Sequence, residues 1–225
     1  NRALPIFGTQ LPDGRYLDTW LSTPGRNNPE NPLMYLNEGK TTRQPHRLLG
    51  KLDLQYKLPW NLTYKASFGY QKMDNYSKNF KHAMYTYNPK TYERKDFSAY
   101  VFVKDWDSNS YNTTFYNTLS YDKSFAKSHN LSIMAGFEHK YWNNIAFTAK
   151  KRDYFNNQLD ALTPGTTMDE ITGSSNDQKL SSFFGRIQYN YNEKYLLDIT
   201  ARYDASSKFA KGHRWAFFPA VSIGW

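Results

Sequence analysis

The side chains most suited to acid–base or metal chemistry are five histidines, His46, His82, His129, His139 and His213. No two of them stand four apart, the spacing that places two imidazoles on one helix face, and no HExxH motif is present. Each therefore reads as an isolated rim or loop residue. The run Asp105-Trp106-Asp107-Ser108-Asn109 has oxygens at the first, third and fifth positions of a calcium loop. Its sixth position is Ser110 in place of glycine and its twelfth is Tyr116 in place of glutamate, so a solvated loop is the simpler reading. Cysteine is absent, which removes thiolate metal sites and disulfides. There is no G-x-S-x-G elbow, phosphate-binding loop or dinucleotide fingerprint. A barrel enzyme would need serine and histidine together on one strand face, and the sequence offers no such pair. The expectation is a protein without catalytic residues, metal or cofactor.

Two other groups of residues have chemistry of a non-catalytic kind. Aromatics make up 18% of the chain, with 19 tyrosines. Tyr85, Tyr87, Tyr92, Tyr100, Trp106 and Trp142 fall in or beside stretches without periodicity, where flat rings can stack on sugar faces and hydroxyls can hydrogen-bond. These six are the candidate ligand-binding residues, with packing or an interfacial girdle as the plainer role for each. Arg186, Arg202 and Asp204 lie on the polar faces of neighbouring periodic segments. Charges inside a wall need partners, so they are expected to form a structural network there.

The elements that must position these residues are strands. At 195–203 and 215–225 the odd positions are almost all apolar, and the even positions are mixed or polar. A period of two gives each strand one oily and one wetter face. The same alternation occurs at 48–58, 62–70, 111–121, about 130–141 and 183–191, making seven strands. The connections alternate too. Residues 59–61, 122–129 and 192–194 are short links, 71–110 and 143–180 are long, and 207–213 is a shorter basic loop. Residues 1–46, rich in Pro, Asn and Gly, behave like the end of another long loop. Within the long loops, 99–103 suggests a small strand and 153–162 a short helix ended by Thr163-Pro164-Gly165.

An apolar band, aromatic borders, a polar reverse face and loops segregated by length are the requirements of a transmembrane antiparallel β-barrel. The fold expected is all-β, a partial wall of about seven strands with long extracellular loops. Mean hydropathy is −0.81 and no apolar run approaches the ~18 residues of a membrane helix. Neither observation counts against a barrel, since half of every strand faces water. The net charge of +9 is spread along the chain, with Lys150-Lys151-Arg152 the longest basic run. That dispersion argues against nucleic acid and for a basic rim facing anionic lipopolysaccharide or an acidic ligand.

The words RYDASSKFA and RWAFFPAVSIGW, at 202–210 and 214–225, closely resemble the barrel signature of the SusC/RagA family of TonB-dependent outer-membrane transporters. That signature runs roughly R-x-D-G-S-S-x-F, then W-x-x-F-P-S-x-S-x-G-W. The chain departs from it at Ala205, where glycine is usual, and at Ala220, where serine is usual. Both are small residues in or next to strands. The resemblance implies a multi-pass barrel in the outer membrane of a Gram-negative bacterium, importing oligosaccharides or peptides. It implies a SusD-like lipoprotein over the mouth, TonB acting from the periplasm, and outer-membrane lipids around the wall. The chain starts at Asn1 without methionine or signal peptide and ends within a strand, so it reads as a piece of a longer protein. On that reading 1–46 is an extracellular loop, 47–225 is about a third of a barrel of about 22 strands, and the plug domain lies elsewhere. The competing class is a carbohydrate-binding β-sandwich on the cell surface, which would share the strands and aromatics.

Overall fold

Residues 8–18, 31–98 and 100–225 are described by the computed structural model. The chain is nearly all β. A seven-stranded sheet has the order β1 (Gly39–Leu58), β2 (Leu62–Lys81), β5 (Phe102–Phe125), β6 (His129–Arg152), β7 (Thr167–Tyr191), β8 (Tyr195–Ser206) and β9 (Trp215–Gly224). The strands β3 (Met84–Tyr87) and β4 (Arg94–Ser98) form a separate antiparallel hairpin. One short helix, α1 (Pro32–Asn37), is capped by Asn31, whose side chain accepts from Leu33 N at 3.1 Å. Residues divide into two compact units: 46–74, 109–145 and 174–225 make a wall unit, and the described parts of 1–45, 75–108 and 146–173 make a loop unit.

All seven expected strands are present, but five are much longer than the periodicity suggests. β5, β6 and β7 have 24, 24 and 25 residues, whereas a tilted strand needs only about 9–11 residues to cross a bilayer. The additional residues, such as Thr167–Lys179 of β7, carry polar groups in both alternating sets. Where both faces meet water the alternation disappears, although the hydrogen-bond ladder continues. The long connections shrink accordingly to 82–101, which contains the β3–β4 hairpin, and 153–166. The small strand expected at 99–103 is not formed as such. Ala99 lies outside the described residues, Val101 precedes β5, and residues 102–103 open β5. The helix expected at 153–162 is replaced by bends and turns. Asp153 takes a left-handed φ of 63°, and Tyr154 Oη donates to Ala161 O at 2.8 Å, which folds the segment on itself. β1 begins at Gly39, well inside the region assigned to the first loop. Gly39 has φ 132°, and a Cβ there would lie 2.0 Å from Phe80 O, so only glycine fits.

The three short turns share one geometry. Trp60 and Asn61, Ala126 and Lys127, and Asn192 and Glu193 are successive pairs with φ between 48° and 63°. Two left-handed residues in a row are what a type I′ hairpin turn requires, and its twist matches that of the flanking strands.

In the wall unit the register sets out one apolar face. Ile187 faces Ile199, which faces Val221; Tyr189, Leu197 and Ile223 make the next row; Phe183, Tyr203 and Phe217 make another. Trp215 stacks on Tyr203 at 4.6 Å and on Phe183 at 6.1 Å, closing the band at one border. Tyr191 stacks on Tyr195 at the other. Tyr191 and Phe183 stand eight residues apart on one strand, about 26 Å at ~3.3 Å per residue, close to the height of a barrel's lipid-facing band. This face is bare: Leu52 is 72% exposed and Val221 64% exposed. All fully buried hydrophobic side chains among the described residues, Val103 and Met34 included, belong to the loop unit. A sandwich would pack a second sheet over that face and bury it. Among the described residues there is one large sheet and a two-stranded hairpin, and no second large sheet lies over that face.

Candidate functional site

The loop unit is organised by a small core of Val101, Val103 and Tyr154, with Phe80, Ala83 and Leu162 packed on it. Residues 8–18 are stitched to the hairpin beside it. Tyr87 N donates to Tyr16 O and Asp18 N donates to Tyr87 O, each at 2.9 Å. The turn Pro12-Asp13-Gly14, with Gly14 at φ 85°, delivers Arg15 onto the hairpin. Asp13 accepts from Arg15 Nε at 2.8 Å and Nη2 at 2.6 Å. These hydrogen bonds hold the Asp13 carboxyl below the usual carboxylate range and push the Arg15 guanidinium up.

The guanidinium of Arg15 lies 4.5 Å over the Tyr87 ring and 5.7 Å from that of Tyr92, and Arg94 lies 4.5 Å over Tyr85. Three of the six expected ligand aromatics are thus brought together. Each of Tyr85 and Tyr87 has one face covered by a cation, so the surface on offer is an aromatic–guanidinium layer and not a bare ring. A cleft of about 410 Å³ opens beside it, lined by Arg15, Tyr16, His82, Tyr85, Tyr87 and Asn157. Asn157 accepts from Ala83 N at 3.1 Å and donates to Ala83 O at 3.3 Å, so its amide completes the wall of the cleft like a neighbouring strand. Arg15, Arg94 and Asn157 were not among the expected residues. For Arg15 the P-D-G turn was a legible signal; for the other two only the fold reveals the proximity.

The remaining three aromatics stand elsewhere. Tyr100 is flanked by Arg152 at 5.1 Å and Lys150 at 6.0 Å from its centroid. Lys150 also pairs with Asp169 at 2.5 Å and keeps that carboxyl below its usual range. Trp106 lines a second cleft, about 450 Å³, with Arg43, Pro45, Asn75 and Tyr76. Burial, then the Asp105 carboxylate, raises the Tyr76 hydroxyl, which keeps it a donor. Trp142 is within β6, ten residues before the strand ends at Arg152, so it does not border a loop. Asp105, Asp107 and Asn109 likewise lie in β5, where alternate residues line up along a strand and do not converge. Among the described residues no group of three or more acidic or imidazole side chains is placed to hold a metal ion.

In the wall unit the expected charge network divides into two. Arg202 Nε donates to Asp204 at 2.7 Å, and its Nη2 donates to Glu138 at 2.9 Å and to Ser182 Oγ at 2.8 Å. Lys140 joins Glu138 at 2.8 Å. Arg186 instead takes Asp198, with Nε at 3.0 and 3.1 Å from its two oxygens, and Gln188 adds a bond at 3.1 Å. Beside the first cluster Arg202 sits 5.6 Å over Phe184, which stacks on Tyr116 at 5.4 Å. Gly136 leaves room for that stack, since a Cβ there would meet Phe184 at 2.4 Å and Asn117 O at 2.7 Å. All these groups occupy the face opposite the apolar band. Satisfied charges there brace a water-facing surface, as a barrel interior requires.

One pair runs against expectation. His139 Nδ1 is 2.8 Å from Ser181 Oγ. Both residues are in mid-strand, where backbone N–H groups are committed to the ladder, so no pair of donors is available to hold an oxyanion. The contact is a cross-strand hydrogen bond.

The sequence matches the family model described as TonB dependent receptor-like, beta-barrel, over residues 2–225. It is 28% identical to TonB-dependent receptor P3 of Formosa agariphila, over 100% of this chain and 21% of that protein. It is 26% identical to TonB-dependent receptor SusC of Bacteroides thetaiotaomicron, over 92% of this chain and 19% of that protein. The chain therefore spans about a fifth of the length of these curated relatives. The structure of the RagAB peptide transporter superposes with a TM-score of 0.76 over 88% of this chain and 22% of that one, at 19% identity.

Proposed function

The chain belongs to the family of TonB-dependent receptor-like β-barrels, and from that premise we propose that it forms wall and loops of an outer-membrane importer of oligosaccharides or peptides. The observation that carries this reading is the separation of chemistry between the two faces of the large sheet: a largely apolar face suits lipid, and a charged and braced face suits a wet lumen. The aromatic–guanidinium layer on the β3–β4 hairpin suits a polymer rich in hydrogen-bonding groups. Tyrosine hydroxyls, Arg15 and the Asn157 amide are groups that recognise hydroxyls or peptide units along such a chain. In this reading a plug fills the lumen against the polar face, a SusD-like lipoprotein covers the mouth, and TonB pulls from the periplasm.

The direct test is uptake of defined glycans and peptides by cells carrying the full-length receptor, compared with cells lacking it. Tyr87→Ala removes the ring that supports Arg15. It should weaken half-saturation about five-fold, corresponding to about 1 kcal/mol for a stacked aromatic, with insertion unchanged. Equal uptake with and without the receptor would end the transporter reading.

Orientation has its own test, because these 225 residues have no cysteine and any elsewhere in the full-length receptor can be replaced by serine. Single cysteines at Lys90, Asn156 and Pro59 are all exposed. Intact cells should label the first two with an impermeant maleimide and spare the third. Labelling at Pro59 alone would invert the topology.

A further inference from the structure

We propose that the outer edge of β3 takes an extended peptide by strand pairing at Tyr85, which makes the cargo a polypeptide. This deepens the importer reading above and rests on it.

The side to which each residue of β3 turns its backbone follows from the hydrogen bonds around it. Asn88 N donates to Glu93 O at 3.0 Å, so Asn88 turns towards the β4 side of the hairpin, and Thr86 does the same opposite Lys95. Tyr85 and Tyr87 therefore turn their N–H and C=O groups away from β4, as does Ala83 just before the strand. On this outer edge Ala83 and Tyr87 are both occupied. The side-chain amide of Asn157 takes Ala83. Tyr87 is bonded to Tyr16 and Asp18, in a parallel bridge to Leu17. Tyr85, midway between them, has no hydrogen bond from its N–H or C=O to any described residue beyond the hairpin.

The gap lies where a ladder stops. In an unbroken parallel ladder Tyr85 N would donate to Gly14 O, and Tyr16 N would donate to Tyr85 O. Neither bond is made. The turn at 12–14, closed by Gly14 N donating to Leu11 O at 2.9 Å, carries the chain away from β3 instead. The cleft of about 410 Å³ includes Gly14, Tyr16, Tyr85 and Asn157 in its lining, so it opens at this parting. Tyr85 offers it a donor and an acceptor, and Tyr16 a second donor. Ala83 and Tyr87 are four residues apart, about 13 Å at ~3.3 Å per residue, so the free stretch takes a short run of extended chain and no more.

An oligosaccharide can meet such groups one at a time. A polypeptide repeats N–H and C=O along one edge at the interval of a strand, so one of its residues exchanges both bonds with Tyr85. The side chain of that residue then lies beside the Tyr85 ring, which Arg94 backs at 4.5 Å. Pairing through the backbone tolerates varied sequence, and excludes only proline at the paired position.

The test uses full-length receptor purified in detergent and two probes, a blocked octapeptide library and neutral oligosaccharides of matched length. Peptides should be retained in preference, with proline depleted at one internal position. A retained peptide remade with an N-methyl group at each position in turn should lose affinity about ten-fold at that position and little elsewhere. This scan needs no variant of the receptor. Tyr85→Pro removes the N–H at a position that the β3–β4 ladder does not use, and should flatten the N-methyl profile. Tyr85→Ala keeps the N–H and should preserve the profile, and heat-modifiable migration checks that both barrels are intact. A flat profile in wild type, or a preserved one in Tyr85→Pro, overturns the strand pairing. Retention of oligosaccharides and not peptides, or of neither, overturns the peptide cargo. The importer reading is decided separately, by the uptake comparison above.

Discussion

Uptake by cells carrying the full-length receptor is expected to stop when TonB is deleted. In the proposed transporter the wall is part of a barrel of about 22 strands, whose lumen is wide enough to need a plug. The plug must hold against water and solutes, so its docking on a charged face such as that around Arg202 and Glu138 has to be stable. A ligand can shift an equilibrium only by its differential affinity for the two states. Stacking and hydrogen bonds at the loop cleft, about 1 kcal/mol per ring, are too small to drive a plug out. Opening then requires work from the inner membrane, and binding at the cell surface should persist in the deletion strain while import falls to background. Import continuing at the wild-type rate would identify a passive pore or a binding protein.

Arginine at Ile199 should destabilise the inserted protein by about 2–4 kcal/mol. Ile199 stands between Ile187 and Val221 in the register, four residues from Tyr195 and four from Tyr203, midway between the aromatic borders. A guanidinium there has neither water nor a counterion. Ser222→Arg is the paired control, because Ser222 faces Asp198 across the ladder on the polar side. A cation beside that carboxylate should cost well under half as much. Urea titration of full-length protein folding into liposomes gives both values. Equal losses would mean that the two faces are not lipid and lumen.

How far the sequence was legible follows from where the two faces differ. From Tyr195 to Tyr203 the chain alternates because one side meets lipid and the other water, and strand and face could both be read. From Thr167 to Lys179 both sides meet water, so the sequence resembles a loop while the backbone keeps its ladder. The charge network shows a second limit. Arg186, Arg202 and Asp204 were recognisable as wall charges, but Arg186 takes Asp198 and Arg202 reaches Glu138 on a third strand. Which acid meets which base depends on the stagger between strands, which alternation does not encode. The aromatics show a third. Tyr85, Tyr87 and Tyr92 converge as one group, but the arginines that cover two of them come from outside β3, and no local pattern announces that.

The sheet order leaves β1 and β9 each with one side unpaired among the described residues. Along an edge strand every second residue turns its N–H and C=O outward, so about ten residues in the acyl layer expose on the order of ten unmet polar groups per edge. At several kcal/mol each, two such edges exceed the whole stability margin of a typical folded protein, about 5–15 kcal/mol. In the proposed barrel these two edges therefore have to meet neighbouring strands wherever they lie in the acyl layer.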